Sequence, residues 1–289
     1  MVLNNTFIAF TDESCHNIGR YRGVGMVSLH FSNYHFIKIE LKKILQESRV
    51  REFKFEKLRN AKYRFAAEKI IDFIFNCLLS NILRVDVLIW DTHDSRHSIL
   101  GRDDINNLQR MYFHLFKNVL SKRWPSGSDW FIFPDENSAI NWVDINAFLV
   151  KKDTLLFLQY QLDQVFLRST KIYKLKEVIP VTSMKHSLIQ VSDLFVGLTV
   201  YSYNYFEEYR IYKVQDSKQL LLFEAVERSF SNKEKECFGI MDYLDKKCKH
   251  HKLGVSLNKS NGFYTFSPST PLNFWLYKPQ GGYDSAPVR

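Results

Sequence analysis

The stretch "FIAFTDESCHN", residues 7–17, is the part of the sequence that decides how the fold and the candidate site are interpreted. Its first half is an apolar run typical of a buried β-strand, which we place at residues 6–11. The run stops at two adjacent acids, Asp12 and Glu13. Any groups that meet these acids at the end of the strand must therefore come from later in the chain.

Composition narrows the class of protein. The chain has 289 residues, 45% of them hydrophobic, which allows a sizeable buried core. A formal net charge of +9 favours a polyanionic partner, because bound phosphates release their counterions. The four cysteines lack framework spacing, which favours a reducing, cytoplasmic compartment over a disulfide scaffold. Neither a secretory signal nor a membrane span is expected, because acids interrupt the apolar runs.

The first third of the chain predicts strands followed by a long helix. "YRGVGMVSLHF" and "HFIKIEL" are interpreted as strands that form a three-strand meander with the first one. "REFKF" alternates charged and aromatic residues, which places Phe53 and Phe55 in the core. Apolar residues at helical spacing then predict a packed helix over about 56–79, with Phe65 on its apolar side.

Strand and helix patterns alternate in the remainder. Strands are predicted at 84–94 and 129–138, helices at 105–124, 140–169 and 188–203, and an extended segment at 176–187. Strands separated by helices predict an α/β fold with parallel pairs. We expect a core domain at 1–205, with a helical insertion at 140–169, and a C-terminal extension at 206–289 packed on the core.

Acids end three of the predicted strands. Asp12, Asp91 and Asp135 would meet at one sheet edge, because ligand crevices of open α/β sheets lie beyond the carboxyl ends of the strands. Asp193 lies in the helix 188–203, which is apolar nearly all round, and shares one helical face with Gln190 and Gly197. A carboxylate in so apolar a helix needs a partner or a metal ion.

A cluster of these carboxylates would favour a hard divalent cation such as Mg²⁺, because the acids repel one another unless a cation neutralises them. Two such ions about 3.5–4 Å apart can activate a water molecule and stabilise the leaving oxygen of a phosphodiester. The basic balance of the chain would help to deliver a nucleic-acid substrate.

The order of motifs resembles the domain of unknown function 3800 family. The resemblance covers most of residues 5–203 and rests on "DES" at residues 12–14, "E-x-K-aromatic" at residues 52–55, a strand-end Asp, and "S-x-x-Q-x-x-D-L-x-x-G" at residues 187–197. It departs from the usual pattern at Cys15, where the family has Gly. The tail "TPLNFWLYKP" is also similar to endings of some members.

The resemblance implies a ribonuclease-H-like mixed sheet flanked by helices and a Mg²⁺- or Mn²⁺-dependent nuclease site. Its catalytic and metal-binding residues would be Asp12, Glu52, Asp193 and a strand-end acid. Topology favours Asp91 for that role and the motif "PDE" favours Asp135, so both stay open.

Other polar residues are expected to support the ligands or contact substrate. Glu13 should point away from Asp12, because successive side chains of a strand face opposite sides. Lys54 pairs with Glu52 or contacts a phosphate, and Gln190 orients Asp193 or bonds a nearby backbone group. The remaining members of this set are Ser14, Glu136 and Ser187.

The sequence thus predicts a metal-dependent nuclease acting on DNA or RNA. The alternative is a non-catalytic nucleic-acid- or protein-binding module of a host-defence or mobile-element system, such as bacterial or phage defence. A protein partner or a second copy of the chain is left open, and no membrane association is expected.

Overall fold

The computed structural model describes residues 5–14, 19–94, 103–137, 139–147, 149, 173–216 and 228–278. The strands of these residues are β1 (Thr6–Ser14), β2 (Tyr21–His30), β3 (Leu83–Asp91), β4 (Ser128–Pro134), β5 (Tyr173–Val178), β6 (Val255–Ser256), β7 (Tyr264–Thr265) and β8 (Leu272–Leu276). The helices are α1 (Tyr34–Glu47), α2 (Ala61–Leu79), α3 (Asp104–Lys122), α4 (Ser187–Asn204), α5 (Phe206–Asp216) and α6 (Asn232–His250).

A six-stranded mixed sheet organises the described residues, in the order β5-β4-β1-β2-β3-β8. β2 runs antiparallel to both β1 and β3, and the pairs β1–β4, β4–β5 and β3–β8 are parallel. The fold belongs to the α/β class, with a mixed sheet flanked by helices, as the sequence predicts.

The central strand β1 is buried on both faces. Ile8 and Phe10 belong to the core beneath α1, α2 and α4, whereas Phe7 and Ala9 belong to the core beneath α3. This two-sided burial explains why the strand is continuously apolar rather than alternating. Asp12 has the parity of Phe10 and therefore belongs to the α4 side of the sheet.

Helix α4 lies closely against the sheet, because glycine lines its path. A Cβ at Gly25 of β2 would stand 2.8 Å from the Ser192 hydroxyl and 3.0 Å from the Val196 Cβ. Residues 188–192 and 194–203 of α4 are all buried, which explains its apolar composition. The close approach carries Asp193 to the carboxyl end of β1.

The strand expected at "HFIKIEL" is wrong. The segment "HFIKIEL" lies in helix α1, where Ile37, Leu41 and Ile44 are buried at helical spacing and Ile39 is 49% exposed. Its short alternation of apolar and charged residues is compatible with a strand and with a helix. The chain adopts the helix because the apolar residues on one side of it are buried in the core. The third strand of the meander is β3.

The long helix after "REFKF" also differs in detail. α2 begins at Ala61, where the side chain of Asn60 accepts a hydrogen bond from the Tyr63 amide and caps the helix. Residues 51–55 form no strand, although Phe53 and Phe55 are buried as expected. Phe65 is 43% exposed and does not belong to the packed face.

The C-terminal extension contributes a strand to the core sheet. β8 pairs with β3, and Asn273 donates to the buried carboxylate of Asp86 at 3.0 Å. Arg84 and Arg123 approach the same carboxylate at 3.5 and 3.9 Å. The domain boundary at residue 205 stays a prediction. The strongest part of the predicted helix 140–169, residues 154–169, lies outside the described residues.

Among the described residues, no helix is both long enough and apolar enough to cross a bilayer.

Candidate functional site

Asp12 and Asp135 lie side by side at the carboxyl ends of two neighbouring parallel strands. The register of β1 and β4 pairs Thr11 with Pro134, and the Asp135 amide donates to the Thr11 carbonyl at 2.8 Å. Each Asp is therefore the next residue along its own strand. Of the two strand-end acids left open by the sequence, Asp135 is the one that the sheet brings to Asp12.

Asp91 lies elsewhere, which corrects the expectation that all three strand-end acids meet. In β2, Gly25 pairs with Asp12 and Tyr21 pairs with Asp91, four residues apart, or roughly 13 Å along the strand. The Asp91 carboxylate accepts hydrogen bonds from Nη2 and Nε of Arg20, at 2.7 and 2.9 Å. Arg20 lowers the pKa of this carboxyl. Asp91 thus ends its strand in a separate ion pair.

Helix α4 supplies Asp193, and Gly197 allows the contact that fixes it. The Asp193 carboxylate accepts a hydrogen bond from the Phe55 amide at 2.7 Å. The ring of Phe55 lies so close to α4 that a Cβ at Gly197 would stand 2.3 Å from it. The spacing of Asp193 and Gly197 therefore has a steric reason, since the glycine admits the residue whose amide holds the carboxylate.

Gln190, one turn earlier on α4, fixes the same segment. Its side-chain oxygen accepts from the Phe53 amide at 2.8 Å, and its nitrogen donates to the Ser183 carbonyl at 2.9 Å. Gln190 therefore forms hydrogen bonds with backbone groups, which is one of the two roles predicted for it from the sequence. It joins residues 52–55 to the loop that precedes α4.

Ser183 connects two further acids. Its hydroxyl donates to Glu52 at 2.7 Å, and its amide donates to Asp135 at 3.0 Å. No sequence pattern identifies Ser183 as a site residue, because it lies in a polar extended segment where no spacing distinguishes it. We call Asp12, Glu52, Asp135 and Asp193 the acid cluster.

Lys54 lies within the acid cluster. Its ammonium group is 3.6 Å from the Asp135 carboxylate and 3.8 Å from that of Glu52. Burial lowers the pKa of Lys54, but Asp12, Asp135 and Asp193 outweigh burial and the net shift is upward. Lys54 is therefore a charged lysine that partly neutralises the acids.

The acids themselves are held in an unfavourable environment. Burial raises the pKa of Asp12 well above its ordinary value, and Asp193 raises it further while Lys54 opposes the shift. Burial likewise raises the pKa of Asp193 to about 7, against the Phe55 amide and Lys54, which lower it. A cation bound beside these two carboxylates would relieve this cost.

Glu13 faces the other side of the sheet, as strand alternation predicts. It accepts hydrogen bonds from the hydroxyl of Tyr112 on α3 and from the side chain of Asn137, the latter at 2.7 Å. Ser14 ends β1 beside it, Glu136 is exposed beyond Asp135, and Ser187 is the first residue of α4.

An open cleft of about 480 Å³ runs from the acids along α4. Asp12, Asp193 and Lys54 line one part of it, and Tyr201, Tyr205 and Lys233 line another. The last three were not singled out in the sequence, where Tyr201 and Tyr205 show only the four-residue spacing of a helix face. The cleft thus joins carboxylates to an aromatic and basic surface.

The oxygen donors of the acid cluster are of the type that hard divalent cations prefer. The buried carboxylate of Asp12, next to Asp193 and countered by one lysine, fits such an ion chemically. Across the described ranges, no group of three or more His, Cys, Asp and Glu side chains is arranged to hold a metal ion.

Comparisons with known proteins give close relatives in one archaeon. The chain is 41% identical to uncharacterized protein ORF2' of Methanothermobacter thermautotrophicus over 294 aligned positions, 98% of each chain. It is 39% identical to uncharacterized protein ORF2 of the same organism, over 99% of each. No family model matches the chain.

One solved structure with a similar course of the chain is the PCNA:RNase HII complex from Archaeoglobus fulgidus. The likeness covers 77% of this chain and 81% of that chain, at 12% identity and a TM-score of 0.36. A likeness of this size supports no conclusion about activity.

Proposed function

We propose that the chain, which belongs to the same family as ORF2 and ORF2' of Methanothermobacter thermautotrophicus, acts as a divalent-metal-dependent nuclease. The observation that carries the proposal is the acid cluster, in which two parallel strand ends, one helix and the 52–55 segment each contribute a carboxylate. Membership of the domain of unknown function 3800 family stays a prediction.

Mg²⁺ or Mn²⁺ would draw together Asp12, Asp193, Asp135 and Glu52, which among the described residues are not already arranged as a set of metal ligands. Such an ion, when bound, polarises a phosphodiester and activates a water molecule. The buried position of Asp12 favours binding, because a cation offsets a charge that the folded protein otherwise stabilises poorly.

The remaining residues of the site position these carboxylates or meet the substrate. The Phe55 amide and Gln190 hold α4 against the 52–55 segment, and Ser183 holds Glu52 and Asp135 in a fixed relation. Lys54 presents a charged ammonium group to the cleft, where it can bind a substrate phosphate. The partner expected for this chemistry is a nucleic acid.

The test is cleavage of labelled oligonucleotides by the full chain. Single- and double-stranded DNA and RNA and an RNA/DNA hybrid are incubated with Mg²⁺, Mn²⁺ or a chelator. We expect metal-dependent cleavage that Asp12→Asn and Asp193→Asn reduce at least about 100-fold, in the range of single catalytic-group removals. Asp91→Asn is the matched control, because it removes a strand-end acid outside the acid cluster and should leave cleavage unchanged.

Titration calorimetry with Mn²⁺ gives a second readout that does not depend on turnover. Asp12→Asn should weaken Mn²⁺ binding, whereas Asp91→Asn should not. Absence of cleavage of every substrate, together with equal Mn²⁺ binding by all variants, would refute the nuclease and favour the non-catalytic binding module.

A further inference from the structure

The cleft ends away from the acids in a pair of stacked tyrosines. The rings of Tyr201 and Tyr205 have centroids 4.4 Å apart at an interplanar angle of 28°. Tyr201 is 7% exposed and Tyr205 is 40% exposed. The pair therefore presents one open aromatic face to the cleft, backed by a buried ring.

The open face of Tyr205 stands on a fixed base. Tyr201 also contacts the rings of Phe55 and Phe238, at centroid distances of 6.0 and 5.8 Å. The preceding residue, Asn204, exchanges two hydrogen bonds with the backbone of Tyr21, at 3.0 and 2.9 Å. This end of α4 is held on both sides, so the ring is presented in one place.

The same helical stripe connects this face to the acids. Asp193, Gly197 and Tyr201 follow one another at four-residue spacing on α4, and Tyr205 immediately follows the helix. At 1.5 Å per residue, Tyr205 lies roughly 18 Å along the axis from Asp193. The spacing suits a polymer that spans both ends of the cleft better than a single small molecule.

Lys233 supplies a cation beside the tyrosines. It is exposed in the first turn of α6, lines the cleft, and forms no ion pair with any residue in the described ranges. The Cys237 thiol approaches the Leu58 carbonyl at 3.8 Å, and Arg64 pairs with Glu236 at 3.2 Å. These contacts hold the first turns of α6 beside the segment that enters α2.

That segment is strongly basic. Residues 49–64, which we call the basic segment, contain seven Lys or Arg and two Glu residues. Five of its cations form no ion pair with described carboxylates: Arg49, Arg51, Lys57, Arg59 and Lys62. Lys54, Phe55 and Glu56 of this segment line the cleft. The unpaired cations flank them along the chain, as needed for contacts with several phosphates of one strand.

We propose that the cleft binds a single-stranded nucleic acid, with an unpaired base stacked on Tyr205, its phosphate at Lys233, and the strand continuing towards the acid cluster. A base of a duplex is covered by its neighbours on both faces, whereas an unpaired base offers a face to an aromatic ring. The proposal rests on the proposed function for its choice of nucleic acid as the substrate class.

Binding is measured in chelator, so that cleavage cannot contribute. Single-stranded DNA and RNA oligonucleotides carrying 2-aminopurine report stacking by loss of fluorescence. We expect quenching with the full wild-type chain, and binding roughly 5- to 100-fold weaker with Tyr205→Ala, the range for loss of one stacked base. Tyr205→Phe should retain both quenching and affinity, because it keeps the ring. Lys233→Gln should weaken binding and lower its salt dependence.

Two controls exclude a general surface effect. Phe266→Ala removes a 51% exposed ring outside the cleft, and Lys235→Gln removes an exposed lysine two residues from Lys233. Both should bind as wild type. Circular dichroism establishes that each variant is folded.

The inference would be overturned by any of three results. These are equal affinity of Tyr205→Ala and wild type, tighter binding of duplex than of single strands, and absence of binding. Competition by a mononucleotide as effective as that by the oligonucleotide would also overturn it. Tyr205-dependent binding without cleavage in Mg²⁺ or Mn²⁺ would uphold the inference and refute the nuclease. Metal-dependent cleavage with no effect of Tyr205→Ala would do the reverse.

Discussion

At the scale of single residues, Asp193 is an acid of the cleft whose pKa differs strongly between the folded and unfolded chain. Burial raises the pKa of its carboxyl to about 7 in the folded chain, from the ordinary value of 3.8. Between these values the folded state keeps a proton that the unfolded state has released. The free energy of unfolding therefore falls as pH rises through this window.

The corresponding prediction concerns Asp193→Asn in the absence of metal. The variant should lose the part of the pH dependence that Asp193 contributes between about pH 5 and about pH 7.5, while the part from Asp12, whose pKa is also raised, remains. The variant should be more stable than wild type at the upper end by about 1–2 kcal/mol. This free-energy difference is reduced for solvent screening, because the Asp193 side chain is partly exposed to the cleft. Urea unfolding in chelator at both pH values measures the difference.

Asp91→Asn is the control for this measurement. Arg20 lowers the pKa of Asp91, so its contribution to stability is present above the ordinary pKa and is lost only at lower pH. Its removal should leave the slope between about pH 5 and about pH 7.5 unchanged. An Asp193→Asn slope equal to that of wild type would contradict the assignment of the pH dependence to this carboxylate.

At the scale of elements, the site depends on the contact between α4 and the 52–55 segment. Gly197 allows the Phe55 ring to lie on the helix, and this packing sets the Phe55 amide on Asp193. Gln190 makes a second bond from the same helix to Phe53. The helix and the segment therefore carry Asp193, Glu52 and Lys54 as one unit.

We predict that Gly197→Ala destabilises the chain by about 1–3 kcal/mol, the usual cost of overpacking a core. The added methyl group must displace Phe55, so metal-dependent cleavage should fall as well. Gly239→Ala on α6 is the matched control, because its Cβ would meet nothing within 4 Å. That change should be neutral or stabilising by about 0.5–1 kcal/mol, since alanine is the better helix former.

Denaturant unfolding of both alanine variants measures these effects. Equal stability of Gly197→Ala and Gly239→Ala would show that Phe55 repacks at no cost. In that case the steric explanation of the Asp193 and Gly197 spacing would be wrong.

At the scale of the whole molecule, the formal charge of +9 is unevenly distributed. The basic segment holds a large share of it and lies beside the cleft, whereas the lysines near the C-terminal end of α6 are paired. Lys246 pairs with Asp242 at 2.6 Å, and Lys249 with Asp245 at 2.5 Å. An unpaired cation releases counterions when it meets a phosphate, and a paired one first has to give up its carboxylate.

We therefore predict that replacing Arg59 and Lys62 by Gln reduces the slope of log affinity against log salt concentration by about 1 for each phosphate contact removed. Replacing Lys246 and Lys249 by Gln should change the slope by less. Fluorescence anisotropy with a single-stranded oligonucleotide over a range of salt concentrations measures both. An equal reduction in the two double variants would contradict the basic segment as the phosphate-binding surface.

The sequence by itself determined the elements with strong local patterns. β1 carries Asp12 close to its end at Ser14, β3 ends at Asp91, and β4 ends at Pro134, immediately before Asp135. The apolar run with Asp193 is helix α4. Strand alternation also predicts that Glu13 and Asp12 lie on opposite faces of the sheet. These features follow from periodicity and burial, which short stretches of sequence encode directly. "HFIKIEL" was misassigned because a short alternating run suits a strand face and a helix stripe equally.

Only the tertiary structure decided which of these residues meet. Strand order and register bring Asp135 to Asp12 and leave Asp91 with Arg20. Folding also places Ser183 between two acids and stacks Tyr205 at the far end of the cleft. The physical reason is that these contacts join segments far apart in the chain. Their geometry is set by packing of the whole sheet against α4, which no local pattern records.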